Sequence, residues 1–305
     1  MKILLINIDS TIPNLALEKI KLYHRQKGDK VIENFPLLSK QCDKIYVSCV
    51  FDYNKHLCKE WEGIAEIGGS GYDLTKKLPP EIDSIKPRIN LGFTTRGCIR
   101  NCEFCIVRRK EGKIYIEGDI YDLWDGKSKL LTILDNNILA LPEHFMKISQ
   151  QLKKEHLMVD FNQGLDFRLL TDDIIKELFS LRHYREIRFA FDDLAYKPTV
   201  LKVLEKLRKN GLKDWQTRWY VYVGVKDSFE TVMERIDILR NAKQLVYLMR
   251  DVKVHDNLEY RELSGWCNYP GLFKKAHYFD IKPKNVFTEQ NISKIESQKQ
   301  ITLWK

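Results

Sequence analysis

The chain has 305 residues, 44% of them hydrophobic, which is enough for a buried core in one large domain or two smaller ones. Its formal charge of +9 admits an anionic partner such as nucleic acid without requiring one. Seven cysteines, an odd number, argue against a disulfide framework, and no stretch is apolar for long enough to span a membrane. A reducing, cytoplasmic setting is expected.

The first 85 residues alternate strand and helix patterns. Lys2–Ile8 reads as a buried strand; it is followed by no signal-peptide cleavage pattern. Asn14–Lys27 carries Leu15, Leu17, Ile20 and Leu22 at helical spacing, with Gly28 as a stop. Val31–Phe35 and Lys44–Phe51 read as strands, Asn54–Gly63 as a candidate helix, and Ile64–Ile67 as a short strand entering Gly68-Gly69-Ser70-Gly71. This order predicts a small α/β segment with a parallel sheet. The glycine run is first of all a tight turn. Leu78–Asp83, with two prolines, reads as a linker.

Strand candidates then recur at Ile89–Thr94, Leu130–Leu134, Leu157–Phe161, Ile187–Phe191, Trp219–Val225 and Leu245–Arg250. Helical patterns separate them at Pro142–Lys153, Asp172–Leu181, Val200–Lys209 and Ser228–Asn241, and Arg108–Lys127 has room for a short hairpin. Six βα units suggest an incomplete, TIM-like (β/α)6 barrel. The domains expected are 1–85, 86–260 and an aromatic extension, 261–305. In the extension, Tyr260–Pro283 reads as packing over the barrel or as a lid, and Lys284–Lys305 as a polar surface helix or frayed end.

The most specific signal lies just after the first of those six strands. Cys98-Ile99-Arg100-Asn101-Cys102-Glu103-Phe104-Cys105 places three cysteines at C-x3-C-x2-C spacing with an aromatic before the last. Three thiolates suit an iron–sulfur cluster, and a fourth iron without a cysteine would stay open for chemistry. A structural zinc site wants four ligands, and the candidates for a fourth, His144 and Cys267, are far along the chain. The basic run Arg108-Arg109-Lys110 reads as a solvated loop, or as a contact for an anionic substrate or a redox partner.

This motif resembles that of the radical S-adenosylmethionine (SAM) enzymes. The resemblance implies a [4Fe-4S] cluster on Cys98, Cys102 and Cys105, with Phe104 near the adenine of SAM. It also implies a one-electron donor such as flavodoxin or ferredoxin, reductive cleavage of SAM, and hydrogen abstraction by a 5′-deoxyadenosyl radical. Residues 1–85 resemble a truncated form of the cobalamin-binding domain found before the barrel in one group of these enzymes. Leu4-Leu5-Ile6-Asn7, Pro13–Leu17 and Gly68–Tyr72 carry that likeness. D-x-H-x-x-G, the cobalt-ligating pattern, is missing, so cobalamin is not expected.

Barrel chemistry gathers at the carboxyl ends of the strands. Asp135-Asn136-Asn137 stands where such enzymes hold the SAM amine, as acceptors or as a polar turn. Asn162 and Gln163 are candidates to touch SAM, and Asp166 and Arg168 to hold substrate or pair with each other. Arg188 offers a fork to the SAM carboxylate, Asp192 suits a ribose hydroxyl or substrate, and Asp193 suits a helix cap. Tyr222 and Arg250 are possible pocket residues. Cys267 reads as a small buried hydrophobe, a radical-quenching thiol or a second-cluster ligand. The rivals to this reading are a cobalamin-dependent radical SAM methyltransferase and a non-catalytic metal protein that binds RNA.

Overall fold

Strand β1 (Lys2–Asn7) turns Ile3 and Leu5 to one side and Leu4 and Ile6 to the other, and all four are buried. A strand apolar on both faces belongs inside a parallel sheet covered on both sides. That sheet has the order β2 (Lys30–Glu33), β1, β3 (Lys44–Ser48), β4 (Glu66–Gly68), all parallel. One face is covered by helices α1 (Leu15–Gln26) and α2 (Pro80–Asp83), whose Leu17, Ile20 and Ile82 meet Ile3, Leu5 and Tyr46. The other is covered by 3-10 turns at Asp52–Trp61, whose Cys58 and Trp61 meet Leu4, Ile6, Ile45, Val47 and Ile67. Asn14 caps α1 by accepting from the Leu17 N–H at 3.3 Å.

The computed structural model describes residues 1–281, divided into two compact units at Leu131/Thr132. Three local expectations change in the first unit. The segment expected as a helix at Asn54–Gly63 is 3-10. The proline linker starts α2, since proline in a helix's first turn forfeits no hydrogen bond. The strand expected at Ile89–Thr94 shrinks to β5 (Leu91–Gly92), because Arg88 and Asn90 take φ of 48° and 62°, outside the extended region. There follow β6 (Thr95–Arg96), α3 (Val107–Glu111) and β7 (Tyr115–Ile116). β7 pairs antiparallel with β6, so the hairpin closes around the cysteines instead of lying wholly after them.

β8 (Leu130–Ile133) carries the chain through the division. The second unit continues with α4 (Pro142–Lys154), β9 (Met158–Phe161), α5 (Asp172–Ser180), β10 (Arg182–His183), β11 (Ile187–Ala190) and α6 (Lys197–Lys209). Next come β12 (Thr217–Val223), α7 (Phe229–Asn241), β13 (Leu245–Arg250), α8 (Leu258–Cys267), α9 (Pro270–Lys275) and α10 (Tyr278–Ile281). The mixed α/β class with parallel sheets therefore stands. The strands expected as one partial barrel fall into separate ladders, one containing β10-β9-β8 and one of β11-β12-β13. The reason is β10, absent from the sequence reading, which takes the edge of β9 at Met158 and Val159. A single bond, from the Leu165 N–H to the Arg188 carbonyl at 2.8 Å, reaches β11 from the loop after β9.

Strand β12 alternates strictly. Thr217, Trp219, Val221 and Val223 are buried, whereas Arg218, Tyr220 and Tyr222 are half-buried. Trp219 packs on Phe189 and Phe167, with ring centroids 5.0 and 5.6 Å away. The other row lies in register with Arg188 and Tyr247 and makes a polar, aromatic face. After β13, Trp266 packs with tilted rings against Phe273 at 4.8 Å and Tyr278 at 5.7 Å, so the aromatic extension is core packing as far as it is described. Cys267 is buried within it. The Asn268 side chain accepts from the Leu248 N–H at 2.7 Å and donates to the Leu248 carbonyl at 3.2 Å. The expected tail, Lys284–Lys305, lies outside the described residues. Among those described, no helix is long and apolar enough to cross a membrane.

Candidate functional site

The cysteine loop leaves β6 through Gly97, at φ 76°, where a Cβ would lie 2.3 Å from the Lys113 carbonyl oxygen. Only glycine fits there. Cys98, Cys102 and Cys105 follow, each half-buried. The Arg100 N–H donates to Cys98 Sγ at 3.3 Å, and the Cys105 N–H to the Cys102 carbonyl at 3.1 Å. Phe104 is 44% exposed.

Helix α3 holds this loop from behind. Arg108 donates to the Cys98 carbonyl at 3.1 Å. Glu111 accepts from the Gly97 N–H at 3.0 Å and from Arg96 at 2.5 Å. Of the basic run expected on the surface, only Arg109 is exposed; Arg108 and Lys110 are half-buried.

Among the described residues, no three His, Cys, Asp or Glu side chains converge on one point as ligands of a single ion, these cysteines included. A cluster places its cysteines on different irons, so a shared point is not required. Three thiols on one short loop, an amide donating to sulfur and cationic neighbours are a donor set that fits such a cluster.

The strand ends of the second unit form a separate network. Asp135 and Asn137 are buried and Asn136 half-buried after β8. Asn137 donates to Asp166 at 3.2 Å, and Asp166 pairs with Arg168 through bonds of 2.6 and 3.1 Å. Asp166 and Arg168 thus meet each other, one of the two roles expected of them. The Asn162 backbone bonds to the Ile133 carbonyl and to the Tyr220 hydroxyl, whereas Gln163 is exposed. Gly164, at φ 87°, turns the chain over the Tyr220 ring.

Arg188 was expected to offer a fork to a carboxylate. It is buried and paired with Asp160, with a further bond to the Phe161 carbonyl at 3.3 Å. Its carboxylate is internal.

Asp192 Oδ1 accepts from the Tyr222 N–H at 3.0 Å, and its other oxygen has no hydrogen-bond partner among the described residues. Burial pushes the Asp192 carboxyl up to about 6, against the pull of the Tyr222 amide and of Arg235. Asp193 caps the following turn through the Ala195 N–H at 2.9 Å, as expected. Tyr222 donates to Asp251, and Arg250 donates to the His255 carbonyl at 2.9 Å.

Sequence reasoning missed Arg235. Its side chain is 1% exposed, and it donates to the carbonyls of Phe191, Asp192 and Tyr222 at 3.3, 2.7 and 3.0 Å while pairing with Asp227 at 2.5 Å. One guanidinium therefore gathers the carboxyl ends of β11 and β12. A signal existed: Arg235 stands on the apolar face of α7 with Val232, Ile236 and Leu239, where an arginine needs internal partners.

At the carboxyl end of the first sheet, ligands of such folds sit at the β1/β3 switch point. Here Asp9 accepts from the Val50 and Phe51 N–H groups at 2.8 and 2.9 Å, and Asn14 donates to Ser48 at 2.8 Å. Neither histidine of this unit, His24 or His56, stands in a D-x-H-x-x-G pattern.

No protein-family model matches the chain, and no curated protein matches it. Among solved structures it is similar to one described as the cobalamin-dependent S-adenosylmethionine radical enzyme OxsB with aqua-cobalamin and S-adenosylmethionine bound. The TM-score is 0.50 at 13% identity, over 90% of this chain. The chain matches little more than half of that protein, 56% of its length. The likeness is one of fold, and because that protein is cobalamin-dependent it lends no support to the expectation against cobalamin.

Proposed function

We propose that this chain is a radical SAM enzyme. The observation that carries the reading is the C-x3-C-x2-C loop set in an α/β chain whose fold resembles that of a radical SAM enzyme. Cys98, Cys102 and Cys105 would hold a [4Fe-4S] cluster, with Phe104 beside them. When bound, the cluster supplies the electron that splits SAM reductively. Asp135, Asn136, Asn137, Asn162, Gln163 and Asp192 are proposed to hold SAM or substrate at the strand ends of the second unit. Arg188 orients Asp160 and the end of β9, a supporting role. The partner is a one-electron donor of the flavodoxin or ferredoxin kind, and the substrate class is open.

The test is anaerobic reconstitution followed by iron and sulfide analysis, electron paramagnetic resonance (EPR) with and without SAM, and assay for 5′-deoxyadenosine under dithionite. About four irons per chain and a reduced-cluster signal that changes with SAM support the reading. Stoichiometric zinc with no such signal overturns it.

The cobalamin dependence of the similar structure favours a second reading, a cobalamin-dependent radical SAM enzyme. Titration with hydroxocobalamin separates the two, since an unchanged visible spectrum removes the second. Salt-sensitive RNA binding without any cluster would instead point to the metal-protein alternative.

A further inference from the structure

Helix α3 has one more inward contact. Lys110 Nζ donates to Ser70 Oγ at 2.6 Å. Ser70 belongs to the glycine turn that ends β4, and that turn is built against the chain before it. The Cys49 N–H donates to the Gly68 carbonyl and the Gly71 N–H to the Cys49 carbonyl, each at 3.0 Å. A Cβ on Gly69 would lie 2.2 Å from the Cys49 carbonyl oxygen, and one on Gly71 would lie 2.3 Å from the Phe51 carbonyl carbon. The turn therefore cannot slide without moving β3. It is a fixed post, and Lys110 is the side chain tied to it. Burial lowers the Lys110 proton affinity, as expected for an ammonium drawn from water onto a neutral hydroxyl.

On the same helix, Arg108 holds the Cys98 carbonyl and Glu111 holds the Gly97 N–H. One short helix thus touches the first cysteine, the glycine before it and the end of the N-terminal sheet. We propose that Lys110 is a positioning residue, fastening the cysteine loop to the glycine turn, so that the N-terminal sheet is the brace of the loop. The fastening rests on these contacts; only its consequence for a cluster rests on the radical SAM reading.

The test uses the full chain without iron. Amide hydrogen exchange is followed over residues 97–105 and over β1 and β3 in wild type, Lys110→Met, Ser70→Ala and Lys110→Arg. Loss of one charge-assisted hydrogen bond predicts about tenfold faster exchange over 97–105 in Lys110→Met and Ser70→Ala. β1 and β3 keep their protection, and Lys110→Arg keeps it in the loop as well. Unchanged loop exchange overturns the proposal, as does an equal rise in the sheet strands, which would mark a general loss of stability. In reconstituted protein the first two variants should also shift the reduced-cluster EPR signal. A wild type that takes up no iron would defeat the proposed function and leave the exchange result to decide the fastening.

Discussion

Around Cys98, Arg108 and Glu111 reach backbone groups of a half-buried loop, and Arg96, itself half-buried, pairs with Glu111. In the second unit, Arg235 at the carboxyl ends of β11 and β12 and Arg188 within β11 are removed from water and meet carbonyls and carboxylates that are themselves buried or half-buried. The first arrangement tolerates a change of contents at its half-buried arginines, whose bonds compete with water and contribute little alone. The second is committed, because any partner removed leaves a buried charge behind. A loop that must admit a metal cluster and a network that must hold strand ends in place call for these two different solutions.

The comparison breaks most sharply at the cysteines. Cys102→Ala should lose essentially all cluster iron while Cys267→Ala keeps it, as anaerobic iron and sulfide analysis would read. Equal retention would remove the loop from the site. Next comes Arg235→Met, expected to lower stability in urea by about 3–5 kcal/mol, since it strands three carbonyls and Asp227. A loss below about 1 kcal/mol would mean the strand ends do not depend on it.

Asp192→Asn sharpens the contrast through pH. The folded carboxyl, near 6, binds its proton more tightly than the unfolded one, near 3.8. Folding therefore favours the protonated form, and stability falls as pH rises through that window. Asparagine removes the penalty, so the variant should gain about 1–2 kcal/mol at pH 8 and little at pH 4, measured by thermal melts across pH. The same gain at both pH values would refute the assignment. The smallest effect is expected at Arg108→Met, where the global melt should move by less than about 1 kcal/mol.

Local signals carried much of the fold into the sequence. The β13 bounds match the expected strand and α1 lies within the expected Asn14–Lys27, whereas β12, Thr217–Val223, begins and ends two residues before the expected Trp219–Val225; the cysteine motif is contiguous. What escaped was set by distant partners. β10 is two residues long and exists because it lies beside β9. The carboxylate of Arg188 lies 28 residues away in sequence, the carbonyls of Arg235 up to 44, and the hydroxyl of Lys110 40. No periodicity announces such pairs. Arg88 and Asn90, whose left-handed backbone cuts β5 short, gave no sign of it in a run that otherwise reads as a strand.

The bond pair between Asn268 and Leu248 has a consequence for the molecule in a crowded solution. β13 ends its ladder, and a parallel strand with free backbone groups is a template on which another copy can continue the sheet. Asn268 imitates a peptide group there, answering one residue's N–H and carbonyl with its own amide. It occupies one rung of that margin at a buried position, with a side chain that cannot be extended, and so leaves that residue no free peptide group on which another copy could continue the sheet.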